Sequence, residues 1–452
     1  MKKILFGVLL ASTAMSAAQA ADLAARPYTK APPMMAAVYD WTGFYLGVNA
    51  GVGLGRDRTT HDLGGGNGIS TYLSPLGGLG GAQIGYNWQT NGSFLGPIVF
   101  GVEADIQGAD MSDRYPNIGG LIQYNQKLDW FGTVRGRVGL ATGPVLTYVT
   151  AGYAYGNVHT GVTEGGLLSS VGGGRSGWTW GSGVEAALGG NWTGKIEYLW
   201  VDLGNTNDGL AFAGQSLRSE LRENIFRVGL NYRIGGNSVY TPVAAANWAG
   251  FYLGGNLGSG TGRDRSALTD VGAGTTAAFN TSPDGINGGV QAGYNWQAGN
   301  WVYGLETDIQ GSAQEDNKTS FFAPGTALDV NSKLPWFGTV RGRLGYSIGS
   351  SLFYATGGLA YGEIKTDLGP VAFSDTRTGW TVGAGIETPF TFLGLFGPNW
   401  TTKTEYLYVD LGTSTNAFTT GAGPGVYSTD VKEHIFRTGL NYHFNTPVVA
   451  KY

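Results

Sequence analysis

Nearly every distinctive segment of this chain occurs twice, in the same order. Trp41-Thr-Gly-Phe-Tyr-Leu-Gly47 returns as Trp248-Ala-Gly-Phe-Tyr-Leu-Gly254, and Gly85-Tyr-Asn-Trp-Gln89 as Gly293-Tyr-Asn-Trp-Gln297. Trp130-Phe-Gly-Thr-Val-Arg-Gly-Arg137 matches Trp336-Phe-Gly-Thr-Val-Arg-Gly-Arg343, Glu197-Tyr-Leu-Trp-Val-Asp-Leu-Gly204 matches Glu405-Tyr-Leu-Tyr-Val-Asp-Leu-Gly412, and Ile225-Phe-Arg-Val-Gly-Leu-Asn-Tyr232 matches Ile435-Phe-Arg-Thr-Gly-Leu-Asn-Tyr442. Matched positions are displaced by between 202 residues (Glu185 to Glu387) and 210 residues (Ile225 to Ile435). Solenoid repeats run to roughly 20–50 residues, so each copy here is a complete fold or half of one.

The N-terminus reads as an export signal. Lys2 and Lys3 precede the apolar run from Ile4 to Leu10, and Ala18-Gln-Ala20 offers small residues for cleavage. The expected mature chain starts at Ala21, outside the cytoplasm. It has no cysteine for a disulfide framework or a thiolate metal site. Of the 452 residues of the full sequence, 79 are glycine and only 13% are charged, about half the usual share for a soluble domain. Yet no run after the signal is long and apolar enough for a helical span. The other structure that crosses a bilayer with every backbone group paired is a closed β-barrel. A net charge of -4 leaves no nucleic-acid footprint.

Alternation supports the barrel. In 99–107, Phe100, Val102, Ala104 and Ile106 are apolar, while Gly101, Glu103, Asp105 and Gln107 are small or polar. Phe44, Leu46, Val48 and Ala50 likewise alternate with Tyr45, Gly47 and Asn49, and Phe226, Val228, Leu230 and Tyr232 with Arg227, Gly229, Asn231 and Arg233. The first copy contains eight such segments, near 42–55, 79–89, 97–111, 124–140, 145–157, 177–189, 192–203 and 222–234. Most are long enough to cross an apolar band of roughly 25 Å when tilted. Short links (90–96, 141–144) alternate with long ones (56–78, 112–125, 158–176, 204–221), the pattern of periplasmic turns and extracellular loops. The second copy has its short turns at 298–300 and 347–350, and departs at 389–399 with a longer apolar turn. Trp41, Trp88, Trp130, Trp178, Trp192 and Trp200 fall near strand ends, where an aromatic girdle is expected.

The inward positions collect charge. Copy one places Glu103, Asp105, Glu185 and Glu197 with Arg135, Arg137, Lys195, Arg227 and Arg233. Copy two places Glu306, Asp308, Glu387 and Glu405 with Arg341, Arg343, Lys403 and Arg437, and His443 stands in the place of Arg233. Eight strands enclose a lumen that side chains can fill, so these groups are expected to form a salt-bridge plug in each of two barrels, with Arg135 and Arg137 facing Glu103 and Asp105. The alternative is a single barrel of sixteen strands in which the same residues line a water-filled pore. The expected organisation is a signal peptide (1–20), a periplasmic lead (21–39), a first eight-stranded unit (40–234), a linker (235–247), a second unit (248–444) and a C-terminal tail (445–452).

The opening Asp40-Trp-Thr-Gly-Phe-Tyr-Leu-Gly47, the Gly85-Tyr-Asn-Trp88 and Trp-Phe-Gly-Thr-Val-Arg-Gly-Arg blocks and the closing Phe-Arg-x-Gly-Leu-Asn-Tyr resemble the alphaproteobacterial outer-membrane β-barrel family of the major Brucella surface proteins and the rhizobial RopB proteins. The resemblance covers both copies, whereas members are usually single eight-stranded units. It implies residence in the Gram-negative outer membrane, contact with outer-membrane lipid and lipopolysaccharide, roles in envelope integrity and host interaction, and for some members haem binding or passage of small solutes. Phe436, Leu440, Tyr442 and Phe444 also resemble the closing-strand signal read by the barrel assembly machinery.

Catalytic residues are not expected. The four histidines, His61, His159, His434 and His443, form no metal or hydrolase motif. His159 with Glu164 is the one local acid–base candidate. His61 and His159 are the loop histidines to weigh for haem, but copy two has no counterpart. Gly51-x-Gly53-x-Gly55 lies within an alternating strand and is no phosphate loop. Asp57-Arg58 and Asp264-Arg265 recur at the mouth of the first long loop, where a solvated rim is expected. No cofactor or metal is called for.

Overall fold

The computed structural model describes residues 39–90, 96–114, 117–118, 121–235, 246–323, 326–369, 371–390, 396–420 and 423–444. The expected signal peptide, the lead up to 38, linker residues 236–245, the tail 445–452 and parts of the turns at 90–96 and 389–399 lie outside them.

The first copy forms β1 (Gly43–Gly55), β2 (Asp57–Gly64), β3 (Asn67–Leu73), β4 (Leu76–Thr90), β5 (Ile98–Asp113), β6 (Asn117–Ile118), β7 (Ile122–Thr142), β8 (Val145–Glu164), β9 (Leu167–Gly189), β10 (Trp192–Gly209) and β11 (Ser216–Ile234). The second forms β12 (Gly250–Gly262), β13 (Asp264–Asp270), β14 (Thr275–Thr281), β15 (Asp284–Ala298), β16 (Trp301–Ala323), β17 (Thr326–Ile348), β18 (Ser351–Leu368), β19 (Val371–Pro389), β20 (Trp400–Thr420) and β21 (Gly423–His443).

Antiparallel pairing runs from β1 through β4, β5, β7, β8, β9 and β10 to β11. β11 then returns to β1, with Phe44 opposite Ile234 and Gly55 opposite Glu223. The second copy repeats this ring from β12 through β15, β16, β17, β18, β19 and β20 to β21, and β21 returns to β12. A strand has two edges, and β11 has committed both over this span, to β10 and β1. None remains for β12, so the sixteen-stranded alternative is overturned. Each ring has no open edge at membrane depth, as a hydrocarbon environment demands.

The alternating apolar residues face outward, and Phe44, Leu46, Val48, Phe100, Val102 and Ile106 are exposed. Trp88, Trp130, Trp178 and Trp192 are exposed as well, as a girdle requires. Trp41 is not part of it. It is buried, its indole N–H donates to the carbonyl of Gly143 at 3.2 Å, and it packs with Tyr39, Val99 and Leu146 inside the lumen. Trp41 precedes β1, where strand alternation no longer decides which way a side chain points.

The four long links of the first copy are largely strand. The β2–β3 hairpin, the far halves of β8 and β9, and the ends of β10 and β11 continue the ladder well past the girdle. Outward residues here meet water, so they need not be apolar and the period disappears from the sequence. The expected solvated rim is also corrected. Asp57 and Asp264 are buried, accepting backbone N–H groups of Arg222 at 2.6 Å and Lys432 at 3.2 Å.

The two barrels meet along one face. Outward residues elsewhere, such as Val102 and Val149, are 49% and 62% exposed, whereas Tyr198, Phe226 and Phe436 are each 6% exposed. The cause is a stack across the seam, with Tyr198 on Phe436 (centroids 5.2 Å apart) and Phe226 on Tyr406 (4.6 Å). Tyr198 and Tyr406 hold the same place in the repeat, as do Phe226 and Phe436. Each unit therefore offers the other the same patch, the reciprocity of a two-fold isologous contact. The hairpins repeat it: Tyr72 pairs with its counterpart Asn280, β3 pairs with β16, and β14 pairs with β6. Arg56 donates to the Ser282 carbonyl at 2.8 Å and pairs with Asp284 at 2.6 Å, while the matching Arg263 reaches Asp113 at 3.4 Å.

Candidate functional site

The site is the filled lumen of each barrel. β5 and β7 are neighbours with Glu103 opposite Arg135, which puts carboxylates and guanidinium on one inward face. Arg135 contacts Glu103 at 2.5 Å, Asp105 at 2.8 Å and, across the lumen, Glu197 at 3.0 Å. Arg227 closes the same set, reaching Asp105 at 2.8 Å and Glu197 at 2.5 Å, and Lys195 donates to both oxygens of Glu103 at 2.9 Å. Arg137 pairs lower down with Glu185 at 3.0 Å. Its guanidinium lies 4.8 Å from the Tyr45 ring and 5.2 Å from the Tyr148 ring. None of these charged side chains is more than 2% exposed.

The second lumen repeats the arrangement. Arg341 holds Glu306, Asp308 (2.9 Å) and Glu405 (3.2 Å). Arg437 bridges Asp308 (2.8 Å) and Glu405 (2.7 Å), Lys403 donates to Glu306 (2.8 Å), and Arg343 pairs with Glu387 (2.8 Å). The central layer of each lumen thus opposes four carboxylates with four fixed cations, so that layer is neutral. Arg233 stands apart from the first set. It lies 4.9 Å over Tyr39 and donates to the backbone carbonyls of Asp40 and Thr42. His443, its replacement, contacts Glu387 at 3.2 Å.

The network includes residues that charge patterning does not single out. Tyr45 donates to Glu103 at 2.8 Å and Tyr148 to Glu197 at 2.9 Å, as Tyr252 does to Glu306 and Tyr354 to Glu405. Thr133 and Thr339 donate to Asp105 and Asp308. The signal for the tyrosines is a glycine facing each ring in both copies. A Cβ on Gly85 would lie 2.2 Å from the Tyr45 ring, and one on Gly293 2.4 Å from the Tyr252 ring.

Apolar layers close each charge layer at both ends. On the loop side of the first lumen, Met111, Leu128, Phe131, Leu199, Leu221 and Ile225 pack together; on the turn side stand Trp41, Leu146 and Tyr148. Leu334, Phe337, Leu407 and Ile435, with Trp248 and Leu352 opposite, do the same in the second. Such an arrangement fixes charge and excludes water. Among the described residues no group of three or more His, Cys, Asp or Glu is placed to hold a metal. His159 contacts Asn157 at 2.9 Å, and Glu164 accepts from Gln215, so the two are not a catalytic pair. His61 has both ring nitrogens in hydrogen bonds, to Tyr124 and Gln215 at 2.8 Å each.

Comparison with known proteins finds the same duplication. The chain matches the family described as outer membrane protein beta-barrel domain over 6–233 and again over 234–444. It is 39% identical over 222 residues to the 31 kDa outer-membrane immunogenic protein of Brucella melitensis biotype 1, spanning 45% of this chain and 86% of that protein. It is 37% identical over 170 residues to the 22 kDa outer membrane protein of Rhizobium leguminosarum bv. viciae, spanning 37% of this chain and 65% of that protein. Among solved structures, Ail, the attachment invasion locus protein of Yersinia pestis, aligns with 42% of this chain and 99% of its own at 18% identity and a TM-score of 0.23. With its domain matched across nearly the whole length, this chain belongs to the outer membrane protein β-barrel family, carries that domain twice, and is a protein of the outer membrane.

Proposed function

We propose that the protein is a structural and surface-interacting component of the outer membrane whose two lumens are closed to solutes. The observation that carries this reading is the neutral set of four carboxylates and four cations in each lumen, capped by apolar side chains at both ends. A conducting pore keeps its charges wet, whereas these are dry and bonded to one another. The barrel presents an apolar belt to outer-membrane lipid, and its hairpins stand where lipopolysaccharide and a host surface meet it. The relatives named outer-membrane immunogenic proteins support reading the hairpins as the surface-presented part. Insertion falls to the barrel assembly machinery, through the β21 signal.

Planar-bilayer recording of the full chain tests this. No stepwise conductance is expected. Discrete conductance steps that change in size with Glu306→Gln or Arg341→Gln would overturn closed lumens in favour of passage of small solutes.

A further inference from the structure

The seam between the barrels is not filled along its whole depth. Towards the short-turn side of the aromatic stack the two outer walls diverge and leave a cleft of about 540 Å³. Ile196, Val228 and Leu230 form one wall; Leu344, Phe353 and Ala355 of the second barrel form the other. Trp301 borders the same cleft and packs edge-on against Tyr346 at 5.1 Å. These rings, with the Trp192–Tyr232 pair of the first barrel at 5.0 Å, mark the headgroup level on this side. The cleft therefore lies within the apolar band.

Its walls offer nothing to water. Lys195 and Tyr354 border the cleft, but their polar ends are turned into the lumens on Glu103 and Glu405, at 2.9 Å each. A water needs two to four polar partners, and an empty groove would forfeit the dispersion contacts of its lining. The cleft continues an interface that already joins apolar faces, and it reaches the headgroup level at the short turns. Short turns are periplasmic, so the neighbouring leaflet is the phospholipid one, opposite to lipopolysaccharide.

We propose that this cleft is a phospholipid site, in which one acyl chain of a periplasmic-leaflet phospholipid completes the seam between the barrels. The inference does not depend on whether the lumens conduct. Ala355 is exposed in the cleft wall, so a larger side chain there fills the space without touching the plug or the aromatic stack.

Native mass spectrometry of the full chain, extracted in mild detergent with its heat-modifiable mobility checked, provides the test. One retained phospholipid per chain is expected, falling to none in Ala355→Trp and in Ala355→Phe. Val102→Trp, on a lipid-facing strand away from the seam, should keep it. Two substitutions of different size guard against one that fails to fold. Equal retention in the cleft variants, no retained lipid in the parent chain, or lipid A in place of phospholipid would each overturn the proposal.

Discussion

Arg135 is the residue on which the first lumen turns, because it touches three carboxylates, Glu103, Asp105 and Glu197, that have no water to turn to. Removing one partner of a buried ion pair costs about 3–5 kcal/mol, since the charge left behind is uncompensated. Arg135→Ala is therefore expected to lower the urea midpoint of the micelle-bound protein by a corresponding amount. Arg135→Lys should recover only part, because an ammonium cannot reproduce the fork that reaches several carboxylates at once. An unchanged midpoint for Arg135→Ala would refute the plug as a source of stability. That Arg135, Glu103 and Glu197 face inward was legible in the sequence, because a period of two sends every second residue to the same side. Trp41 was not legible, since it lies two residues before the strand that would have oriented it. The role of Tyr45 was hidden for another reason: alternation places it inward, but only the ring of strands brings its hydroxyl to Glu103.

At the scale of elements, the β2–β3 hairpin shows what pattern reading loses beyond the membrane. Most of its residues are polar and its few apolar ones, Leu63, Ile69 and Leu73, keep no regular period, so nothing announces a strand, yet it is paired to β11 and seated on its own buried cluster. His61 is a pin in that seat. Gln215 donates its amide to Glu164 at 2.9 Å, which turns its carbonyl oxygen to the His61 Nε2–H and leaves Nδ1 to accept from the Tyr124 hydroxyl. The ring is thus held neutral, and burial lowers its pKa below the ordinary histidine value. A depressed folded pKa means that this contribution to stability is fully present above the unfolded value of about 6.5 and is lost as pH falls through the lower folded value. Hydrogen exchange of β2 should accordingly speed up between neutral and mildly acidic pH beyond the intrinsic chemical dependence, and His61→Gln should flatten that extra response. If β2 exchanges alike in both proteins across this range, His61 is not the pin.

For the whole molecule, duplication could have widened one ring or set two rings side by side, and charge balance alone left both open. The strand edges decide it, because each copy closes on itself. Less visible in sequence is that the two rings grip one another. An outward Tyr198 or Phe226 reads the same whether lipid or protein covers it, so the seam emerges only when Tyr198 meets Phe436 and Phe226 meets Tyr406. Aromatic pairs of this kind contribute about 0.5–1.5 kcal/mol each beyond the area they bury, and paired hairpin edges add main-chain hydrogen bonds at the loop side. The linker is therefore not what holds the halves together. A protease site placed within 236–245 of the folded protein should yield two fragments that still co-migrate in mild detergent. Phe226→Ala with Phe436→Ala should let them part without heating, each keeping the heat-modifiable mobility of a closed barrel. Fragments of the parent chain that separate as soon as the linker is cut would mean that covalent connection, and not the repeated face, keeps the barrels paired.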